Sequence, residues 1–382
     1  MAARHAALRG LRVLLIDKTS DIGNPLRCAE AVSKPSLAKA GVKVDATWVS
    51  AEISGFSLVS PRGKAFNIDL GVEEGGAGVV LERHLFDKAL AAHAARAGAE
   101  IMLKTETKGL ITEGAFVRGV EAVRCGRPVT FMARCVVGAD GYESRVGKWG
   151  GIDTSLKASD IVSCLQYRMA GVTIEPNLGQ FFLGGCAPGG YIWIFPKGPD
   201  TANVGIGILV SSLRSPQEVK QRLDAFIKHH PGLSHGQPLQ CIAGSVPVCA
   251  PLSRVTGEGL LLVGDAARVT DPLTGAGIGN ACITGMFAGQ VLAECAETGD
   301  FSKSALHRYE KLWRVALEQP LLRNWRLKEK LVTISDDVWD SLIETIAEAK
   351  IREVTVRTLL EAIRHKHKDL AKELDGVVTE PK

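Results

Sequence analysis

Long apolar runs, clustered charge, paired cysteine spacings and internal repeats are all missing from this sequence. No apolar run approaches the roughly 20 residues that a bilayer span needs. The first residues also lack a basic stretch leading into an apolar one, so no secretory leader is expected. These absences predict a soluble, cytoplasmic protein. The formal net charge of +4 is spread along 382 residues, and nucleic acid is not an expected partner, because phosphate backbones are bound by clustered Lys and Arg. Nine cysteines, an odd number, occur without a C-x-x-C spacing, which argues for reduced thiols instead of a disulfide frame. The pairs His229-His230 and His365-x-His367 stand isolated; both read as solvated surface, and no metal is expected.

What is present is enough for a packed core. Apolar and charged residues make up 46% and 23% of the chain, close to the globular norm. Residues 1–150 mix helix and strand signals. The segment "ERHLFDKALAAHAARAG" predicts a helix over about 82–97, with Leu85, Phe86, Ala89 and Leu90 on its apolar face and Gly98 as its stop. Residues 151–250 are rich in β-branched and aromatic runs separated by Gly and Pro. Residues 251–300 return to strand, glycine loop and helix, and residues 301–382 read as a charged helical region. An α/β zone that is interrupted by a β-rich one and then resumed implies a discontinuous nucleotide-binding domain with an inserted β-rich substrate domain and a C-terminal helical region.

Four segments carry chemistry. In "LRGLRVLLIDK", residues 8–18, a short apolar strand ends at Asp17, with Lys18 beside it. In a dinucleotide-binding βαβ unit such a carboxylate binds a ribose hydroxyl about 20 residues after a G-x-G-x-x-G loop. Here only residues 1–12 precede the strand, reading as a helix that Gly10 stops. In "CVVGADGYESRVGKW", residues 135–149, a strand delivers Asp140 and Gly141 at its C-terminal end, where open α/β sheets bind ligands, and Ser144 is placed to cap the next helix. In "GLLLVGDAARVTDPLTGAGIGNACITG", residues 259–285, a buried strand runs into Gly264-Asp265, and Gly277-Ile278-Gly279 then open an apolar helix. That order brings a carboxylate and a helix N-terminus to one place, with glycines that let a flat ligand approach. In "YIWIFPKGPDTANVGIG", Tyr191, Trp193 and Phe195 alternate, so a strand projects all three from one face as an aromatic wall suited to a long apolar chain.

Together these segments resemble the flavoproteins that include aromatic hydroxylases and geranylgeranyl reductases. The stretch Tyr191-x-Trp193-x-Phe195-Pro196, eight residues, then Gly205-x-Gly207, fits the lipid-binding pattern of the reductases. "NPLRCAEAVSK", residues 24–34, is similar to their loop P-x-R-C-G-E-G-V-S-K, with Ala29 and Ala31 replacing two glycines. The replacement is expected to stiffen the loop. The resemblance covers about residues 1–350. It implies FAD held by Asp17, Lys18, Arg27, Cys28, Arg83, Asp140, Gly141, Ser144, Gly264 and Asp265, with Gly277, Ile278 and Gly279 against its ring. It further implies reduction of isolated double bonds of geranylgeranyl chains, chiefly on archaeal-type glycerophospholipids, with Tyr191, Trp193, Phe195, Pro196, Gly205 and Gly207 binding the lipid. Such an alkene cannot delocalise the charge that hydride addition leaves, so a proton donor is needed; Cys28 and Tyr191 are the candidates. A strand and a G-x-G-x-x-G loop are expected upstream of Met1.

Two other readings stay open at this point. A flavin-dependent aromatic monooxygenase shares the Asp-Gly and Gly-Asp segments, and a non-catalytic isoprenoid binder would keep the groove without the flavin. The electron donor, whether ferredoxin, NAD(P)H or reduced deazaflavin, is not legible. Trp325, with Arg323, Arg326, Lys328 and Lys330, marks either a capping helix or a peripheral membrane contact.

Overall fold

The computed structural model describes residues 1–69, 78–349, 356–364, 366–368 and 372. His365 lies outside the described residues. The first part of the chain forms α1 (Ala2–Ala7), β1 (Leu14–Ile16), β2 (Ala31–Ser33), α2 (Lys34–Lys39), β3 (Val49–Ile53), β4 (Gly55–Val59), β5 (Ala65–Asp69), β6 (Gly78–Leu81), α3 (Arg83–Arg96), β7 (Glu100–Met102), β8 (Thr105–Glu113), β9 (Phe116–Arg124), β10 (Arg127–Met132), β11 (Val136–Gly138) and α4 (Arg145–Trp149). A β-rich stretch follows: β12 (Ile161–Ala170), β13 (Leu178–Phe182), β14 (Tyr191–Pro196), β15 (Thr201–Leu209), α5 (Glu218–His229) and β16 (Gln237–Pro247). The chain then returns through β17 (Thr256–Gly257) and β18 (Leu260–Leu262) to α6 (Ile278–Thr298), α7 (Lys303–Trp313), a π-helical turn (Arg314–Glu318), α8 (Gln319–Leu331), α9 (Asp336–Glu348) and α10 (Val356–Ile363).

The discontinuous α/β order is what the strands show. β11 pairs in parallel with β18, Val136 opposite Leu260, although well over a hundred residues of chain separate them. β1 pairs in parallel with β7. Leu260, Leu261 and Leu262 are fully buried and pack with Val291, Tyr309 and Trp313 from α6 and α7, so the return segment supplies the core of the α/β layer. The Tyr309 hydroxyl donates to the Leu262 carbonyl at 2.7 Å, and the buried Glu310 carboxylate accepts from the Val255 and Thr256 amides. Helix α1 lies close on α6 because Gly285 and Gly289 offer no side chain: a Cβ at 289 would come within 2.6 Å of the His5 Cβ.

The large sheet has seven strands in the order β16-β12-β15-β14-β13-β4-β5. β4 and β5 lie well before residue 151; the parallel pairing of β13 with β4 carries them into this sheet. Helix α5 covers one face through the buried Val219 and Leu223.

Several local expectations change. Helix α3 runs from Arg83 to Arg96 and buries Phe86 edge-on against Trp48, with ring centroids 5.0 Å apart, but Leu85 is 40% exposed because it sits a third of a turn round from that contact. His230 is half-buried between the rings of Phe182 and Phe226 rather than solvated, and burial lowers its pKa. Glu30, not Ala29 or Ala31, takes the left-handed conformation in residues 24–34, with φ at 75°. No helix among the described residues is long and apolar enough to cross a membrane.

Candidate active site

A continuous cavity of about 2530 Å³ runs between the α/β layer and the large sheet. Ligand pockets for drug-sized molecules are roughly 300–1,000 Å³, so this one has room for a dinucleotide together with a long chain. Its wall includes Asp17, Lys18, Arg27, Cys28, Arg83, Asp140, Gly141, Gly264, Asp265, Gly277, Ile278 and Gly279, together with Tyr191, Trp193, Phe195 and Gly207. Ser144, Pro196 and Gly205 are absent from that wall, for reasons that their contacts explain.

Ser144 does not cap α4. Its backbone is left-handed, with φ at 44°, and its buried hydroxyl donates to the Ala266 carbonyl at 2.9 Å, tying α4 to the segment after β18. The cap comes from Asp140, whose Oδ2 accepts from the Val146 amide at 2.9 Å. Pro196 is buried at the end of β14 opposite Ala202. Gly205 lies opposite Trp193 in the β14–β15 ladder, and a Cβ there would come within 2.2 Å of Cζ2 of the indole. It makes the seat for the aromatic wall without facing the cavity.

The ends of β1, β11 and β18 open into this one cavity. Asp17 closes β1 and accepts from the Thr19 amide and hydroxyl through Oδ1. Asp265 follows β18, and its Oδ1 accepts from the Thr270 hydroxyl at 2.6 Å. α6 begins without a side-chain cap, so the amides of its first turn are left for a ligand. A Cβ at Gly277 would stand 3.2 Å from both Asp265 Oδ1 and Thr270 Oγ1, so glycine keeps this cradle open. Asp271, which the sequence reading passed over, orders the preceding loop: Oδ1 accepts from the Leu273 and Thr274 amides, and Oδ2 accepts from the Asn324 side chain of α8.

The aromatic wall forms on β14. Phe181 packs edge-on against both Tyr191 and Phe195, and Trp193 stacks near Phe195. The Tyr191 hydroxyl donates to the Thr274 carbonyl, joining the wall to the glycine loop. Burial, followed by Cys164 and Asp271, pushes the Tyr191 pKa well above its ordinary value. Trp193 Nε1 donates to Gln166 Oε1 at 2.8 Å, and Gln166 Nε2 donates to the Cys28 carbonyl at 3.3 Å.

Residues 160–246 match the family model of the geranylgeranyl reductase catalytic domain. The chain is 43% identical over 380 residues to the digeranylgeranylglycerophospholipid reductase of Thermoplasma acidophilum, covering 99% of this chain and 96% of that protein. It is 41% identical over 379 residues to the protein of the same name from Methanocella arvoryzae, again covering 99% and 96%. The chain belongs to the geranylgeranyl reductase family. A crystal structure of a geranylgeranyl bacteriochlorophyll reductase-like protein from Thermoplasma acidophilum superposes with a TM-score of 0.93 at 42% identity, covering 98% of this chain and 95% of that one. A triple mutant of the flavin-dependent brominase Bmp2 shares the fold at a TM-score of 0.71 and 17% identity, over 96% of each chain.

In this member of the geranylgeranyl reductase family, Cys28 faces the cavity and Arg83 is its cationic neighbour. Burial works against the Arg83 charge, yet Cys28 and Asp87 outweigh it and raise the pKa. The guanidinium also grips Asp87 bidentately, at 2.9 and 3.0 Å. A second cysteine, Cys164, has its pKa pushed up to about 12, first by burial and then by Cys28. Beneath the Cys28 loop lies a quartet of charges, Glu30, Glu82, Arg168 and Lys197, that the sequence reading missed. Its members come from four separate segments of the chain, and no local motif links the four. Burial disfavours the Glu82 charge, but Lys197, Ser50 and Arg168 outweigh it and lower the pKa to about 2.

α8 packs against the core on one side. Leu321 and Leu327 are buried, and Lys328, 5% exposed, pairs with Glu329.

Proposed function

We propose that this chain is an FAD-dependent reductase acting on CH-CH groups, saturating the isolated double bonds of geranylgeranyl chains on glycerophospholipids in membrane lipid biosynthesis. One juxtaposition carries this reading: an apolar aromatic wall, an uncapped helix N-terminus in a glycine cradle, and a thiol beside an arginine all open into one cavity. The residues present fit FAD. Asp17 and Lys18 would hold it at the end of β1, Gly264 and Asp265 at the end of β18, Asp140 and Gly141 beside α4, and Gly277, Ile278 and Gly279 at the start of α6, with Arg27, Cys28 and Arg83 on the wall of the same cavity. Bound there, FAD supplies the hydride.

The chain's own residues supply the rest. Tyr191, Trp193 and Phe195 bind the isoprenoid chain and exclude water, and their ring faces favour the positive charge that builds on the alkene as it takes up a proton. Cys28 delivers that proton from Sγ to one alkene carbon, and the Arg83 guanidinium stabilises the thiolate left behind until solvent returns the proton. Of the two candidate donors, Tyr191 is the less suited, because its hydroxyl hydrogen is directed at the Thr274 carbonyl. Its part is to fix the wall against the glycine loop.

The protein works in the cytoplasm and meets its substrate at the membrane surface, with an electron donor that the test leaves free by using dithionite. Purified chain, FAD, dithionite and digeranylgeranylglycerophospholipid should give lipid heavier by two hydrogens for each bond reduced. Lipid of unchanged mass, with flavin bound and reduced, would defeat the reading.

A further inference from the structure

We propose that Glu30 is a positioning residue: it is the buried charge through which the large sheet holds the Cys28 thiol and the start of α3 in place at the cavity. The inference rests on the reading of Cys28 as proton donor and assigns what sets its geometry.

Glu30 is fully buried and left-handed at φ 75°, a conformation that L side chains rarely adopt. That twist turns its backbone amide onto the thiol two residues back, where it donates to Cys28 Sγ at 3.2 Å. Its side chain supplies the contacts that hold it. Oε1 accepts from the Arg83 amide at 2.9 Å, fixing the first residue of α3. Oε2 accepts from Arg168 of β12 at 3.0 Å and Asn203 of β15 at 2.8 Å, and pairs with Lys197, just beyond β14, at 2.9 Å. Asn203 also donates to the Ala29 carbonyl at 3.2 Å, so the loop is held on both sides of the peptide that joins Ala29 to Glu30.

Charge is needed here, not only shape. Every group facing the Glu30 carboxylate is a donor. An amide in its place would set its own N–H against Arg168, Lys197 or Asn203. Glu82, immediately before Arg83, shares the same two cations at 2.8 and 3.0 Å, so two carboxylates and two cations balance between the two layers. Removing one partner of such a buried set is costly because it leaves the others uncompensated.

The test separates positioning from general stability. The probe is iodoacetamide, with alkylation of the Cys28 peptide followed by mass spectrometry across pH in the full chain. Two variants are compared with the parent: Glu30→Gln, and Glu30→Gln combined with Lys197→Met, which restores the balance of charge. A backbone N–H donated to sulfur favours the thiolate. Both variants should therefore alkylate at Cys28 about tenfold more slowly at neutral pH. The double variant should recover thermal stability without recovering the profile. In lipid turnover, kcat should fall while KM holds. A parent-like alkylation profile in either folded variant overturns the proposal. Should neither fold, Asn203→Leu, which alters no charge, should shift the profile in the same direction, and a parent-like profile there overturns it equally. A shifted profile in a chain whose parent form reduces no lipid supports the positioning and counts against the proposed function instead.

Discussion

Trp193 lies on Gly205: the two residues face each other across the β14–β15 ladder, and the indole occupies the space that any side chain at 205 would fill, 2.2 Å from Cζ2. The glycine is therefore part of the aromatic wall, although it touches no cavity. Gly205→Ala should displace the indole from the Gln166 side chain and destabilise the fold by about 1–3 kcal/mol, the usual range for overpacking. Urea denaturation reads the loss, and Trp193→Phe in the same chain should recover part of it. Additive losses in the double variant would show that the two residues do not share a site.

Tyr191→Phe removes the hydroxyl that ties β14 to the Thr274 carbonyl. The loss should be about 1 kcal/mol, felt mainly in the loop. Amides of Gly275 and Ala276, which bond back to Asp271 and Thr274, should exchange faster with deuterium. Lipid turnover should fall less than in Cys28→Ser; an equal or larger fall in Tyr191→Phe would return the proton to the tyrosine.

Asp140 is the cap of α4, so Asp140→Ala should cost about 1 kcal/mol, whereas Asp140→Asn, an equally good cap, should cost little. Ser144→Ala should act differently, loosening the tie to Ala266 without unwinding the helix start. Helix exchange protection distinguishes the two. Loss of α4 protection in Ser144→Ala alone would contradict this assignment.

Glu82 carries a pH signature. Its pKa falls from 4.5 unfolded to about 2 in place, where Lys197, Ser50 and Arg168 outweigh burial. A depressed carboxylate contributes stability that is complete above pH 4.5 and is lost as the pH falls through about 2. The difference in unfolding free energy between the parent and Glu82→Gln should therefore be largest above pH 4.5 and shrink on acidification. A difference independent of pH across that window would rule out the ion network as its source.

What the sequence determined by itself is what local chemistry determines. Gly264-Asp265 and Gly277-Ile278-Gly279 are legible because a strand, a carboxylate, a glycine turn and a helix start must follow one another in the chain to make a ligand cradle. Tyr191, Trp193 and Phe195 are legible because strand pleating sends alternate residues to one face. Tertiary structure decided the rest. Ser144 has the composition of a cap, but its left-handed backbone gives that role to Asp140, and only the approach of Ala266 explains the exchange. Ala29 and Ala31 drew attention as replaced glycines, yet the unusual backbone is at Glu30. Its side chain is held by Arg168, Lys197 and Asn203, which are distant in sequence and adjacent in space. Periodicity and spacing report on neighbours along the chain; a buried charge is balanced by whatever the fold brings to it.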